Sequence, residues 1–275
     1  MQFGRLVVLC ALAVGVPVRP GLPAQKTDPV DLARAADALA QEVARVRGID
    51  FRTPVRKSVS GRAEIAGRKQ GRIREEYGIG SLATEGRMLR ALGLVGGPAE
   101  YGDSISGLLA EPVEALYDPG DATLHIASWL PAAAQKSVLA HELVRALQDQ
   151  HFNTRSILEA DLAGGNGDRT LAHRALLEGD RTAVMLQLEL GPGGRHFSDL
   201  PDLAFVMESS MATVQGRNEA SAGAPGYLRQ QMLFPYGYGA SFLQQVWKNR
   251  PGWETVNALY LDPPASTEQI LHPKK

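Results

Sequence analysis

Residues Ser137 to Phe152 read SVLAHELVRALQDQHF, one residue short of HExxH. In HExxH, two histidines four apart project from one helical face onto one Zn²⁺, and the glutamate beside the first acts on the metal-bound water. His141 and Glu142 supply half of that pattern, but position 145 is arginine. A guanidinium stays protonated and offers no lone pair, so Arg145 is no zinc ligand and its charge opposes a cation beside it. Val138, Leu139, Leu143, Ala146 and Leu147 form an apolar stripe at helical spacing, which predicts a helix from Lys136 to about Gln150.

A zinc site on such a helix needs a third protein ligand, often a glutamate from a second packed helix. Glu178 is the candidate: it lies 37 residues after His141 in a helix predicted over Thr170 to Leu190. Gly179 beside it permits close approach of two helices. Glu178 reads equally well as a solvated side chain of that helix. GPGG at 191–194 breaks the helix, and a polar, glycine-rich connection over Asp161 to Asp168 precedes it.

Working outward, Asp28 is a cap ahead of Pro29, and Leu32, Ala35, Ala36, Leu39, Val43 and Val46 give helical spacing up to Gly48. Phe51 to Ile65 holds short β-prone pieces around Val55 and Val59, and Glu75 to Leu92 is predicted helical, stopping at Gly93. Val113 to Trp129 alternates apolar residues on either side of Asp118, Pro119, Gly120 and Asp121, a hairpin signature. Helices are further expected near Ala204 to Val214, Gly239 to Val246 and Gly252 to Leu261. There is no internal repeat, heptad array or low-complexity tract.

Residues 1–24 read as a secretory signal: Arg5 precedes a short apolar run from Leu6 to Val16, followed by breakers up to Ala24. A retained N-terminal anchor is the competing reading. Cys10, the only cysteine, lies in that run, so the mature chain has no disulfide. About 250 residues remain, enough for one large domain with its own core. Without Arg5 and Arg19 the basic count falls from 29 to 27 against 30 acidic residues, a near-neutral balance that does not suggest nucleic acid. The basic residues from Arg52 to Arg74 lack interleaved aromatics and read as a solvated face.

Three motifs in order resemble a group of secreted bacterial gluzincin-like metallopeptidases: HELVRALQDQHF at 141–152, LLEGDRTAVM at 176–185 and PPASTEQILHP at 263–273. The blocks RGIDF at 47–51 and ALYDPGDATLHI at 115–126 are similar to earlier blocks of that group. The group's HELTHALQDQHF and EGDA become HELVRALQDQHF and EGDR here. The resemblance implies an α+β, mainly helical, zincin-like fold. A small hairpin or sheet precedes the HExxH-type helix in a lobe over 25–160, and a helical lobe follows over 161–275. It implies His141 and Glu178 as metal ligands, Glu142 as general base, and zinc as the group's cofactor, absent or weakly held here. It also brings the C-terminal segment, with His272, toward the cleft, where a histidine can assist an oxyanion. A capping and packing role for Ser266 to Gln269 is the alternative.

Another histidine as rescuing ligand is poorly supported. His151 stands ten residues after His141, but Gln148 occupies the position where a glycine turn is needed. On a continuous helix His151 points about 80° away and lies roughly 15 Å along the axis, which favours a polar contact under the helix end. His173, five residues before Glu178, reads as exposed. Arg145 itself can occupy the metal's place, facing Glu178 and Glu142 and pairing bidentately with one carboxylate, Glu178 being the expected partner. The expected protein is thus a secreted or periplasmic, catalytically impaired metallopeptidase homologue that binds a peptide or protein or serves a structural role, with no integral membrane segment after signal removal. The alternative is an active zinc peptidase with an atypical ligand set.

Overall fold

Asp28 starts the first described helix as its position ahead of proline predicts. Its carboxylate accepts the Val30 N–H at 2.8 Å, and Pro29 takes the first helical position, where no N–H is needed. Helix α1 (Pro29–Arg47) ends at Gly48, whose φ of 73° lets it donate back to the Ala44 carbonyl. The computed structural model describes residues 28–77, 79–95, 113–206 and 226–273. The signal-like segment lies outside them.

Strand β1 (Arg56–Ser60) is followed by α2 (Arg62–Tyr77) and α3 (Ile79–Ala91). Helical structure therefore begins well before Glu75, and Ile65 belongs to α2 rather than to a strand. Strands β2 (Ala115–Asp118) and β3 (Thr123–Ala127) form the hairpin. Strand β3 lies in the centre of the sheet, antiparallel to β2 and parallel to β1, leaving β2 at an edge.

The HELVR helix α4 (Ala132–Phe152) ends at Asn153 in the left-handed conformation (φ 48°). Helix α5 (Thr154–Gly164) consumes half of the expected polar connection, leaving Gly165 and Asn166 before α6 (Gly167–Leu190). Two short 3₁₀ turns follow, at Gly191–Gly193 and Phe197–Asp199. Residues 203–206 are helical, and the rest of the helix expected to reach Val214 lies outside the described residues. Helix α7 (Gly226–Asn249) starts before the expected Gly239 and contains Pro235. Short helices α8 (Trp253–Ala258) and α9 (Thr267–Leu271) close the chain. The protein is mainly helical with a small three-stranded sheet. No helix among the described residues is long and apolar enough to cross a membrane.

Two apolar cores meet on α6. One joins α1, the sheet and α4 to Val184, Met185 and Leu188; the other joins Ala172, Leu176 and Leu186 to α7 and the C-terminal helices. A helix buried on so many sides needs close neighbours, and the tightest is α7. A Cβ on Gly239 would fall 2.0 Å from the Ala175 carbonyl oxygen, and one on Gly179 would fall 2.4 Å from the Gly239 carbonyl. Gly179 thus allows α7 to approach α6; the sequence reading assigned that freedom to the HELVR helix.

Gly239→Ala should lower the unfolding free energy by about 3 kcal/mol, since backbone on backbone cannot relax as side chains do. Gly193→Ala, with no atom near its added Cβ, should stay within about 0.5 kcal/mol. Urea midpoints of the two variants test the contrast.

Candidate functional site

His141, Glu142 and Glu178 come together where α4 crosses α6. His141 Nε2 lies 3.5 Å from Glu178 Oε2, and the His141 ring stacks 6.5 Å from Tyr236 of α7. Neither His141 Nδ1 nor Glu178 Oε2 has a hydrogen-bond partner, although both atoms are buried. Burial pushes the His141 imidazole below its ordinary pKa, an effect that Glu178 and Glu142 oppose without cancelling.

Glu142 is held differently. Its Oε2 accepts the backbone N–H of Tyr117 at 2.7 Å, a donor available because β2 is an edge strand. Its Oε1 lies 3.4 Å from Arg72 of α2. Burial raises the carboxyl's pKa, but Arg72, His141, Arg145 and the Tyr117 hydrogen bond outweigh it and hold the group below the usual range.

Arg145 is buried on the stripe of α4 that carries Glu142 and Asp149, and its charge favours the anionic forms of both, and of Tyr117. Glu178 pairs with Arg181, whose Nη1 lies 2.5 Å from Glu178 Oε1. Arg181 is 3 % exposed. Its Nε donates to Gln148 Oε1 at 2.8 Å.

Gln148 and Asp180 lie behind this pair in a buried polar hub. Asp180 receives Arg47 at 2.9 and 3.2 Å, and the Tyr260 hydroxyl at 2.7 Å. Gln148 Nε2 donates to Tyr260 Oη, the Leu177 carbonyl and Asp180. Burial and then the Asp180 charge keep Tyr260 a neutral donor by raising its pKa far above the ordinary value.

The remaining histidines lie elsewhere. His151 Nε2 contacts the Asp50 carbonyl oxygen at 2.7 Å, under the helix end. His173 is buried rather than exposed, with Nδ1 2.6 Å from Asp161 Oδ2. The C-terminal STEQ segment docks on the start of α6, where Thr267 donates its N–H and hydroxyl to Asp168 at 3.2 and 2.5 Å. His272 follows at an exposed end of α9, 3.9 Å from Glu268. The basic stretch over Arg52 to Arg74 is more than a solvated face: besides Arg72, Lys57 pairs with Asp37, and Arg68 with the hairpin turn.

No family model, curated protein or solved structure matches the chain.

The zinc expected from the HExxH pattern fits these residues incompletely. His141 Nε2 and the orphaned Glu178 Oε2 are two convergent donors, but a zinc hydrolase needs three protein ligands. The second-ligand position on α4 is Arg145. Guanidiniums also contact Glu178 and Glu142, so a dication would enter a field of fixed positive charge. A separate set of metal-capable donors, Asp118, Asp121 and His125, lies on the hairpin.

A depressed histidine pKa means that the unfolded chain takes up its proton first, as pH falls through the ordinary value of 6.5. Stability is therefore lost as pH descends below that value. Glu142 adds a further loss as pH falls below its ordinary 4.5. The melting temperature should fall between pH 7 and pH 5, and His141→Gln should flatten that fall; equal slopes in the two proteins would refute the assignment. Arg47→Met should destabilise by about 3–5 kcal/mol, because it strands Asp180 as an uncompensated buried charge; denaturant melts measure the loss.

Proposed function

We infer that this chain is a secreted, gluzincin-like metallopeptidase homologue that engages a peptide or protein without hydrolysing it. The observation that carries the reading is the cationic filling of the site: arginine stands at the second-ligand position, and the Arg181 guanidinium lies on the remaining carboxylate ligand at 2.5 Å. Zinc hydrolysis needs an open coordination position at which water is polarised. A guanidinium satisfies a carboxylate by hydrogen bonding and charge but is no Lewis acid. The zincin-like character of the fold, the secreted or periplasmic location and the peptide-class ligand rest on the resemblance of the three sequence motifs.

A second reading, an active zinc peptidase with an atypical ligand set, draws on one feature. His141 Nε2 and Glu178 Oε2 remain convergent, and the carboxylate oxygen lacks a hydrogen-bond partner.

Casein cleavage and His141-dependent zinc content separate the two. The native protein should not cleave casein, and its zinc content should be the same as that of His141→Ala. The double variant Arg145→His, Arg181→Ala should gain roughly one equivalent of zinc that His141→Ala removes, since it restores a third donor and withdraws the blocking charge. Chelator-sensitive cleavage by the native protein, lost in Glu142→Gln, would overturn the inactive reading.

A further inference from the structure

The hairpin turn between β2 and β3 carries chemistry that the α4–α6 site does not use. The ligand atoms of Asp118, Asp121 and His125 lie within 4.8 Å of one another. Arg68 of α2 reaches over them, its Nη1 2.9 Å from Asp118 Oδ2 and 2.9 Å from Asp121 Oδ2. That ion pairing accounts for one oxygen of each carboxylate. It does not account for His125.

His125 is 2 % exposed, and its Nε2 has no hydrogen-bond partner although it lies 3.4 Å from Asp121 Oδ2. Asp121 Oδ1 is likewise buried and unpartnered. A buried imidazole nitrogen aimed at a carboxylate, with no partner of its own, is an unusual arrangement. The far side of the ring faces Ser60 Oγ at 3.5 Å and Glu64 Oε1 at 3.8 Å, both at Nδ1. Such outer groups orient a ligating histidine and favour the tautomer that leaves Nε2 free to bind.

We propose that Asp118, Asp121 and His125 form a binding site for a first-row divalent cation, with Arg68 as its built-in competitor. Two carboxylates and one imidazole suit Mn²⁺ or Zn²⁺ better than Ca²⁺ or Mg²⁺, which prefer oxygen-only sets. The turn is fixed locally: Asp118 Oδ1 accepts the Gly120 N–H at 2.9 Å, and the Thr123 hydroxyl donates to the Asp121 carbonyl at 3.1 Å. The carboxylates keep a solvent-facing side for water ligands, with side-chain exposures of 29 % and 40 %. Arg68 also has somewhere to go, because Glu64 lies one helical turn back at 3.4 Å. Cation entry therefore transfers the guanidinium from the hairpin to Glu64, and the two cations exclude each other by charge.

The full mature chain, free of affinity tag and stripped with chelator, can be titrated calorimetrically with MnCl₂ and ZnCl₂. Native protein should bind one equivalent. His125→Ala and Asp121→Asn should each weaken binding by more than about a hundredfold, beyond the loss typical of outer groups. Arg68→Met should tighten it by about tenfold or more, the expected result of removing a competing unit charge at contact distance. A purely structural ion pair would give no such gain. His141→Ala should leave the affinity unchanged. Circular dichroism melts verify folding, and Asp118→Asn, in the part-exposed turn, replaces any variant that fails to fold. Absence of saturable binding in both native protein and Arg68→Met would overturn the proposal, as would binding indifferent to His125→Ala and Asp121→Asn. Binding lost only in His141→Ala would place the ion on α4 and overturn the inactive-site reading as well, so the two ideas fail separately.

Discussion

The buried ion pair between Arg47 and Asp180 is the constraint on which the rest of the structure depends. The two side chains are 1 % and 0 % exposed, and they join the last residue of α1 to the middle of α6. Removing two charges from water is repaid only when hydrogen bonds satisfy what the partner does not. Gln148 and Tyr260 provide these bonds to Asp180, and the Arg47 guanidinium lies 4.5 Å over the Trp253 ring. Four separate parts of the chain must therefore be in register at once: α1, α4, α6 and the segment after α8. Asp180 is two residues from Glu178, so the hub that fixes α6 also fixes which face of that helix meets His141. Gly179 between them sets the second contact, backbone against backbone, with α7.

The same physical solution recurs at two carboxylate clusters. At Glu178 the cation is Arg181; at Asp118 and Asp121 it is Arg68. A guanidinium supplies one charge and several directional donors, enough to make buried carboxylates tolerable without a metal's Lewis acidity. Substitution of this kind preserves helix packing while changing the chemistry open to the site. The clusters differ in what is left over. Arg181 is itself buried and tied to Gln148, whereas Arg68 is part-exposed, with Glu64 as an alternative partner. The first guanidinium is built into the core and the second is displaceable.

Much of this was legible where a local rule and the tertiary contact agree. Helix α1 is bounded by Asp28, which caps through its carboxylate, and by Pro29 and Gly48, which act through their own backbone, and the hairpin is announced by Asp118 to Asp121 between alternating apolar residues. The early start of α7 was hidden because proline and glycine at 235, 237 and 239 are poor helix formers, whereas Gly239 lets the helices touch. Arg181, Asp180 and His173 were illegible for a different reason. Polar residues on a helix are normally read as its wet face, but α6 is surrounded, and each finds its partner on another element or a turn away: Glu178 and Gln148, Arg47, and Asp161. Gln148 and His151 were read for metal spacing, yet His151, together with Gln150, stitches α4 to the chain after α1. Gln150 brackets Arg52 and Thr53 through their backbone groups, and His151 meets the Asp50 carbonyl.

Tyr117 ties Glu142 to the edge of the sheet. Its backbone N–H is held by Glu142 and its hydroxyl donates to Asp149 Oδ2 at 3.1 Å, so both ends of one residue clamp edge strand β2 onto α4. Glu142 and Asp149 are two helical turns apart on one stripe, and Arg145 lies between them, its charge favouring the ionised form of each. A general base must be free to take a proton and release it. Here one oxygen of Glu142 is occupied by a fixed amide and the other faces Arg72. Arg145 thus belongs to a charge stripe that holds Glu142 ionised, and the ionised carboxylate accepts the hydrogen bond that fixes the strand edge.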